Sequence, residues 1–234
     1  MRFDIITIFP EAFESYLNSS ILKRAQERRL ISVHLHGLRK WGKGRHKQLD
    51  DKPYGGGAGM VLMAGPILKA MRSILNVTAK PGYNYDRTYT RKRRGKETKV
   101  VILSAKGKQF NQRMAADWAK RLDRLILVSG RYEGIDERVR LALKAEEVSI
   151  GPYVLTDGDV AAMAIISAVA RLIPGVITPE SLREESHRTG AHEYPQYTRP
   201  EVLSHRGKRY RVPKVLLSGN HSKVAEWRRK RQNG

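Results

Sequence analysis

SIGPYVLTDGDVAAMAIISAVAR, residues 149–171, decides the fold. It opens as a short β-branched strand, breaks at the polar turn Thr156-Asp157-Gly158-Asp159, and continues through Ala, Met, Ile and Val positions that suit a fully buried helix. A strand, a glycine turn and a buried helix make a ledge for a ligand, because backbone N–H groups at a helix start are free to bind polar ligand atoms. Gly151 and Gly158 let a flat ring come close to the main chain. The same residues also fit an ordinary strand-to-helix corner of a parallel sheet.

Outward from this stretch the chain alternates between strand and helix patterns. Residues Phe3 to Phe9 predict a strand ended by Pro10, and Glu11 to Arg29 predict a helix with Phe13, Leu17, Ile21 and Ala25 on one face. Ile31 to Leu38 alternates as a strand, and Met60 to Leu75 reads as a helix. Val100 to Ser104 and Leu125 to Val128 are short apolar strands, separated by a helix lined by Phe110, Met114, Trp118 and Leu122. A helix-like run then reaches Ala145. This βαβ order predicts an α/β fold with a mostly parallel sheet covered on both faces, whose ligand crevice lies beyond the carboxyl ends of the strands. Three loops converge there: the turn after Ser104, the loop Gly130 to Gly134, and the stretch Ser149 to Asp159.

Composition narrows the partner. The 234 residues hold 45 Lys and Arg against 23 Asp and Glu, a formal charge of +22. Such a chain seeks a polyanion, and nucleic acid comes first because tyrosines are interleaved with the basic runs; a membrane surface comes second, and no basic helix with a clean apolar face supports it. Between 79 and 99, AKPGYNYDRTYTRKRRGKETK places seven basic residues from Arg87 to Lys99 behind and among Tyr83, Tyr85 and Tyr89. That segment fits RNA contact through stacked bases and held phosphates, or a solvated loop. The absence of cysteine excludes disulfides and thiolate-bound zinc and fits a reducing, cytoplasmic setting. No apolar run approaches the 18 residues of a membrane span, and MRFDIITIF, interrupted by Asp4, reads as a strand and not a signal peptide.

Several motifs carry no familiar chemistry. GGGAG at 55–59 matches neither the phosphate-loop pattern nor the dinucleotide fingerprint. His34 and His36 share a strand face and His187 and His192 flank a turn, but neither pair has ligand partners at metal spacing, so no metal site is legible. RYEGIDER, residues 131–138, offers Arg131, Glu133, Asp136, Glu137 and Arg138 either as a self-satisfied salt-bridge cluster or as a polar grip on a ligand.

Taken in order, IFPEAF, DDKPYGGGAGM, SGRYEGIDER, SIGPYVLTDGD, IPGV, YPQYTRPEV and LSGNH span nearly the whole chain and closely resemble the bacterial tRNA (guanine-N1)-methyltransferases that act on position 37, next to the anticodon. The resemblance implies an S-adenosylmethionine-dependent methyltransferase of the SPOUT class. It further implies a deep trefoil knot, a small mainly helical C-terminal domain, and a homodimer acting on tRNA with no membrane association. It divides the chain into a knotted domain at 1–174, a linker at 175–189 and a short basic tRNA-binding unit at 190–234. The donor positions fall on Leu103, Ser104, Gly130, Tyr132, Glu133, Gly134, Ser149, Ile150, Gly151, Tyr153, Leu155 and Gly158, the same three loops named above. The catalytic pair matches Arg171 and, with Glu where the family has Asp, Glu185; Asp50, Asp51 or water are the alternative bases. Asp50, Asp51, Tyr197 and Arg199 are expected on the tRNA side. The family's reported use of magnesium has no legible ligand set here. Other departures are Ile102 for an aromatic residue, Asp157 for Gly, Ala161 for Pro, the basic insertion, and an early stop of the C-terminal unit. A SPOUT-fold RNA-binding protein without catalysis and a methyltransferase for another RNA are the rival readings, and Arg171, Glu185 and RYEGIDER together favour catalysis.

Overall fold

The computed structural model describes residues 1–75, 97–178 and 194–232. Glu185, His187, His192 and residues 79–96 of the basic segment lie outside the described residues. The chain divides into two units, Met1–Ile177 and Thr178–Gly234.

Five parallel strands form the sheet of the first unit: β1 (Arg2–Thr7), β2 (Ser32–Gly37), β5 (Glu97–Gln109), β6 (Leu122–Ser129) and β7 (Glu146–Ser149), in the order β2-β1-β6-β5-β7. Alternate side chains of each strand feed two separate cores, as burial on both faces requires. Phe3, Ile5, Leu125 and Leu127 pack with helices α1 (Glu14–Leu17), α2 (Ser20–Glu27), α4 (Gln112–Arg121) and α6 (Asp159–Ala170). Ile6, Ile126 and Val128 pack with α3 (Ala64–Leu75) and α5 (Glu137–Leu143). The expected α/β class and mostly parallel sheet are present.

Boundaries differ from the expectations for local reasons. The helix expected over Glu11 to Arg29 is a 3₁₀ turn at Pro10–Phe13 followed by α1 and α2, because Asn18, Ser19 and Ser20 break it, with Ser20 at φ +47°. The helix expected from Met60 starts at Ala64, since Val61–Leu62 (β4) instead pairs antiparallel with Asp50–Asp51 (β3). Strand β5 runs past Ser104: its pairing with β7 jumps from Leu103 to Lys108, and residues 104–107 loop out between. The opening of the 149–171 stretch is not a strand: β7 ends at Ser149, whose Oγ accepts from Gly151 N at 3.3 Å in an Asx-like turn and donates to Gly151 O at 2.8 Å. Helix α6 is not buried all round either. Val160 and Ala164 on one side are exposed, although Ile165, Ile166 and Val169 on the other are fully enclosed.

In the second unit β8 (Val202–His205) and β9 (Lys208–Arg211) form a hairpin, and α7 (Lys214–Leu217) and α8 (His221–Gln232) follow. Arg206 and Gly207, both at positive φ, make the two-residue turn that such hairpins favour. Tyr194 is buried under the Arg228 guanidinium, 4.7 Å from its ring.

Candidate active site

A cavity of about 430 Å³ opens at the carboxyl ends of β6 and β7, beside the residues that loop out of β5. Its walls are residues 102–106, the loop Gly130–Glu137, and the stretch 147–150 with 153–158. Of the twelve positions expected around the donor, Leu103, Ser104, Gly130, Tyr132, Glu133, Gly134, Ser149, Ile150, Tyr153, Leu155 and Gly158 line it. Gly151 does not; the space beside its Cα is taken by the ring of Tyr153. The three loops meet because β6 and β7 end side by side next to the point where residues 104–107 loop out of β5.

The turn before α6 is held by a charged network. Arg131 donates from Nη2 to Asp157 Oδ2 at 3.0 Å and lies 3.5 Å from Asp159 Oδ2. Its guanidinium stacks 4.4 Å above the ring of Phe9. Thr7, at the end of β1, donates its hydroxyl to Asp159 Oδ1 at 2.7 Å, and both groups are buried. The N–H groups expected to be free for a ligand are partly engaged, Gly158 N with Gly130 O at 2.9 Å and Asp159 N with Asp157 Oδ1 at 2.8 Å. Gly158 must be glycine: a Cβ there would lie 2.9 Å from Gly130 N and 3.0 Å from Ser129 Cα. Arg131 Nε is buried with no hydrogen-bond partner among the described residues, a cost of about 1–3 kcal/mol that the two carboxylates offset.

RYEGIDER forms the salt-bridge cluster that the sequence allowed. Asp136 caps α5 by accepting from Arg138 N at 2.9 Å, and its carboxyl is held below the usual carboxylate range mainly by the Arg138 side chain beside it. Glu137 accepts from Arg140 Nε at 2.7 Å, and Lys106 bridges to Glu147 at 3.3 Å. Yet the same loop forms the cavity wall. Around the cavity Lys106, Arg131 and Arg140 stand against Glu133, Asp136, Glu137, Glu147 and Asp157. The crevice is thus acidic in a chain of formal charge +22.

The glycine-rich loop, expected on the tRNA side through Asp50 and Asp51, packs against the RYEGIDER loop that lines the cavity. The glycine-rich segment hands its chain to the RYEGIDER loop through Glu133 N to Met60 O at 3.0 Å and Leu62 N to Gly134 O at 3.0 Å. Gly59, at φ +80°, has the Glu133 side chain where a Cβ would sit. The run of glycines was the available signal, since close main-chain approach is one reason for such a run.

The remaining expected residues lie elsewhere. Asp50 and Asp51 sit in β3, next to that loop but not on the cavity wall, and Asp51 Oδ1 accepts from Lys52 N at 2.9 Å. Arg171 follows α6, whose 12 residues separate it from the crevice turn by roughly 18 Å at about 1.5 Å per residue. It lines a separate notch of about 190 Å³ with Tyr16, Ser19, Ser20, Ile21, Leu22, Ser167 and Ile177. Within one chain, therefore, the crevice and Arg171 are not brought together. Tyr197 and Arg199 belong to the second unit, where the Tyr197 ring lies 6.3 Å from that of Trp227. Among the described residues no three His, Asp or Glu side chains are grouped to hold a metal ion. No helix among them is long and apolar enough to cross a membrane.

The family model for tRNA (guanine-1)-methyltransferase TrmD matches residues 1–234. This chain belongs to that family. A Thermomicrobium roseum relative named tRNA (guanine-N(1)-)-methyltransferase is 50% identical over 229 residues, covering 98% of this chain and 78% of its own length. Relatives of the same name from Chloroflexus aggregans and Moorella thermoacetica are 50% and 48% identical, again over 98% of this chain and over 82% and 84% of theirs.

Proposed function

We propose that this chain transfers a methyl group from S-adenosylmethionine to N1 of guanine 37, next to the anticodon of tRNA, and that it does so as a homodimer of knotted subunits in the cytoplasm. The observation that carries this reading is an acidic crevice at the strand ends of a strongly basic chain. A sulfonium with an amino group is a cationic guest for that crevice, whereas RNA phosphates belong on the basic surface outside it. The names of the relatives supply the tRNA guanine.

Residues on the three loops would hold the donor: the main chain around Gly130 and Gly134, the walls from Leu103 and Ile150, and carboxylates such as Glu133. When bound, the sulfonium supplies an electrophilic methyl that needs orientation but no activation. Guanine N1 carries a proton at neutral pH, and Glu185 accepts it as N1 attacks. Negative charge then grows on O6, which Arg171 meets with a planar fork of donors. The magnesium that the resemblance implies is assigned no residues: among the described ones no three His, Asp or Glu side chains are grouped to hold it.

The position of Arg171 supports the dimer. A second copy laid along the exposed strip of α6, Val160 and Ala164, and over the Arg171 notch would bring one chain's arginine to the other's crevice. The domain reading follows the same logic, with a donor domain at 1–174, a linker carrying Glu185 at 175–189, and a tRNA-binding unit at 190–234 that includes Tyr197 and Arg199. Labelled S-adenosylmethionine incubated with tRNA carrying guanine or adenine at position 37 tests it. Label should enter only the guanine form, at N1. Tight tRNA binding with no transfer would point to a non-catalytic RNA-binding protein, and transfer to another RNA alone would point to a different substrate.

A further inference from the structure

Two carboxylates share Arg131, and they do different work. Asp159 is buried, accepts from Thr7, and belongs to the packing under α6. Asp157 makes the shorter contact, 3.0 Å against 3.5 Å, and it stands on the cavity wall. Its two oxygens are divided. Oδ1 accepts from Asp159 N at 2.8 Å and so satisfies a donor of the first turn of α6; Oδ2 accepts from Arg131 and from the Thr156 hydroxyl at 3.1 Å. Because the Arg131 guanidinium also stacks on Phe9, one side chain ties three elements together: the start of α6, the loop after β6, and the segment after β1. Two of them, the loop after β6 and the start of α6, form walls of the crevice and meet through Gly158 N, which donates to Gly130 O at 2.9 Å.

On the footing that the crevice holds the methyl donor, we propose that Asp157 is a positioning residue, clamping Arg131 and the Thr156–Gly158 turn so that the donor meets a preformed wall. Removing it leaves Arg131 with the longer contact to Asp159 and leaves the Asp159 N–H without its cap. The core beneath α6, built from Ile165, Ile166 and Val169, does not depend on it. Donor affinity should therefore fall while the fold stays intact.

Calorimetric titration of S-adenosylmethionine into the full chain and its Asp157→Asn and Asp157→Gly variants tests this. An asparagine oxygen still accepts from Asp159 N but pairs poorly with a guanidinium, so Asp157→Asn should bind roughly tenfold more weakly, and Asp157→Gly more weakly still. S-adenosylhomocysteine should lose the same factor, because the clamp shapes the wall and does not act on the sulfonium charge. The KM for the donor should rise more than kcat falls, with tRNA affinity unchanged. In an Arg131→Lys background, where a single ammonium cannot serve as a fork, Asp157→Asn should cost about twofold or less. Binding by both variants within about twofold of the wild type, or an undiminished loss in the Arg131→Lys background, would overturn the clamp. A wild-type chain that fails to bind S-adenosylmethionine sinks the donor reading itself, which is a separate result.

Discussion

The two ends of the sheet treat charge in opposite ways. Near the amino ends, Asp4 is fully enclosed and accepts from Arg2 at 2.7 Å, from Arg124 at 2.7 Å and from His36 at 2.7 Å. Arg124 spends its remaining reach on Ile74 O at 3.0 Å, at the end of α3. At the carboxyl ends, acids outnumber bases around a cavity, and Arg131 keeps a buried Nε without a partner among the described residues. A closed cluster with every lone pair used is structural, and an open one with unspent groups is where a ligand can add contacts. The comparison predicts that substitutions at one end cost stability and at the other cost chemistry.

The largest effects should come from residues proposed to meet at the open end only in a dimer. Glu185→Gln should slow single-turnover methyl transfer by roughly 10²- to 10⁴-fold, and Arg171→Ala by about 10²- to 10³-fold, with donor affinity preserved. Mixing Glu185→Ala and Arg171→Ala chains should restore one of the two sites in each heterodimer. Failure of that mixture to recover activity would place both residues in the same chain, and a Glu185→Gln rate near wild type would move the base elsewhere, with Asp50 and Asp51 next in line.

The closed end comes next. Burial alone would raise the Asp4 carboxyl, but hydrogen bonds from His36, Arg2 and Arg124 outweigh it and hold the group far below its ordinary 3.8. A depressed folded-state value means that Asp4 stabilises the fold fully above the unfolded value and loses that contribution as pH falls from there toward the folded one. Asp4→Asn should thus cost about 3 kcal/mol in denaturant unfolding at neutral pH, since it strands partly buried cations. The gap to wild type should shrink once the pH drops below 3.8. A gap that stays constant with pH would mean that packing and not ionisation is at stake. Equal loss of donor affinity would break the comparison between the two ends.

How far the sequence reached differs between these ends for a physical reason. The crevice was legible because apolar runs such as Val100 to Ile102 and Leu125 to Val128, short, β-branched and alternating with helix patterns, read as buried parallel strands, and ligands bind beyond the ends of such strands. In the sequence Asp4 reads only as a charge in MRFDIITIF that argues against a signal peptide, because two of its three partners, His36 and Arg124, lie 32 and 120 residues away and pairing at that range leaves no local pattern. The exposed strip on α6 was hidden for a similar reason: Val160 and Ala164 are as apolar as their buried neighbours, so periodicity could not separate the two sides. The Arg131–Asp157 pair, too, joins residues that sequence reasoning had placed in two separate motifs.

A smaller effect sharpens the comparison at the open end. Gly158→Ala adds one carbon against the backbone of Gly130 and Ser129, neither of which can yield as a side-chain tip would. Overpacking of this kind costs about 1–3 kcal/mol. The thermal midpoint and the S-adenosylmethionine affinity should fall together, because the same backbone approach closes the turn and forms the wall. A variant with a lower midpoint and untouched affinity would show that the turn is scaffold only.

The smallest effect should come from Arg138. It grips Asp136 with Nε at 2.9 Å and 3.1 Å from the two carboxylate oxygens, yet most of its side chain is in water. An exposed pair of this kind gains little over hydration and is screened by salt. Asp136 also keeps its other task without Arg138's side chain, because it caps α5 through the main-chain N–H of residue 138. Arg138→Ala should therefore leave the thermal midpoint and donor affinity unchanged, while an NMR titration sees the Asp136 carboxyl rise toward its ordinary 3.8. Asp136→Ala, by contrast, removes the cap and should cost about 1 kcal/mol. If Arg138→Ala weakens the donor as much as Asp157→Asn does, then even the solvent-facing pairs of RYEGIDER belong to the site, and the line between closed and open charge runs further out than the cavity wall.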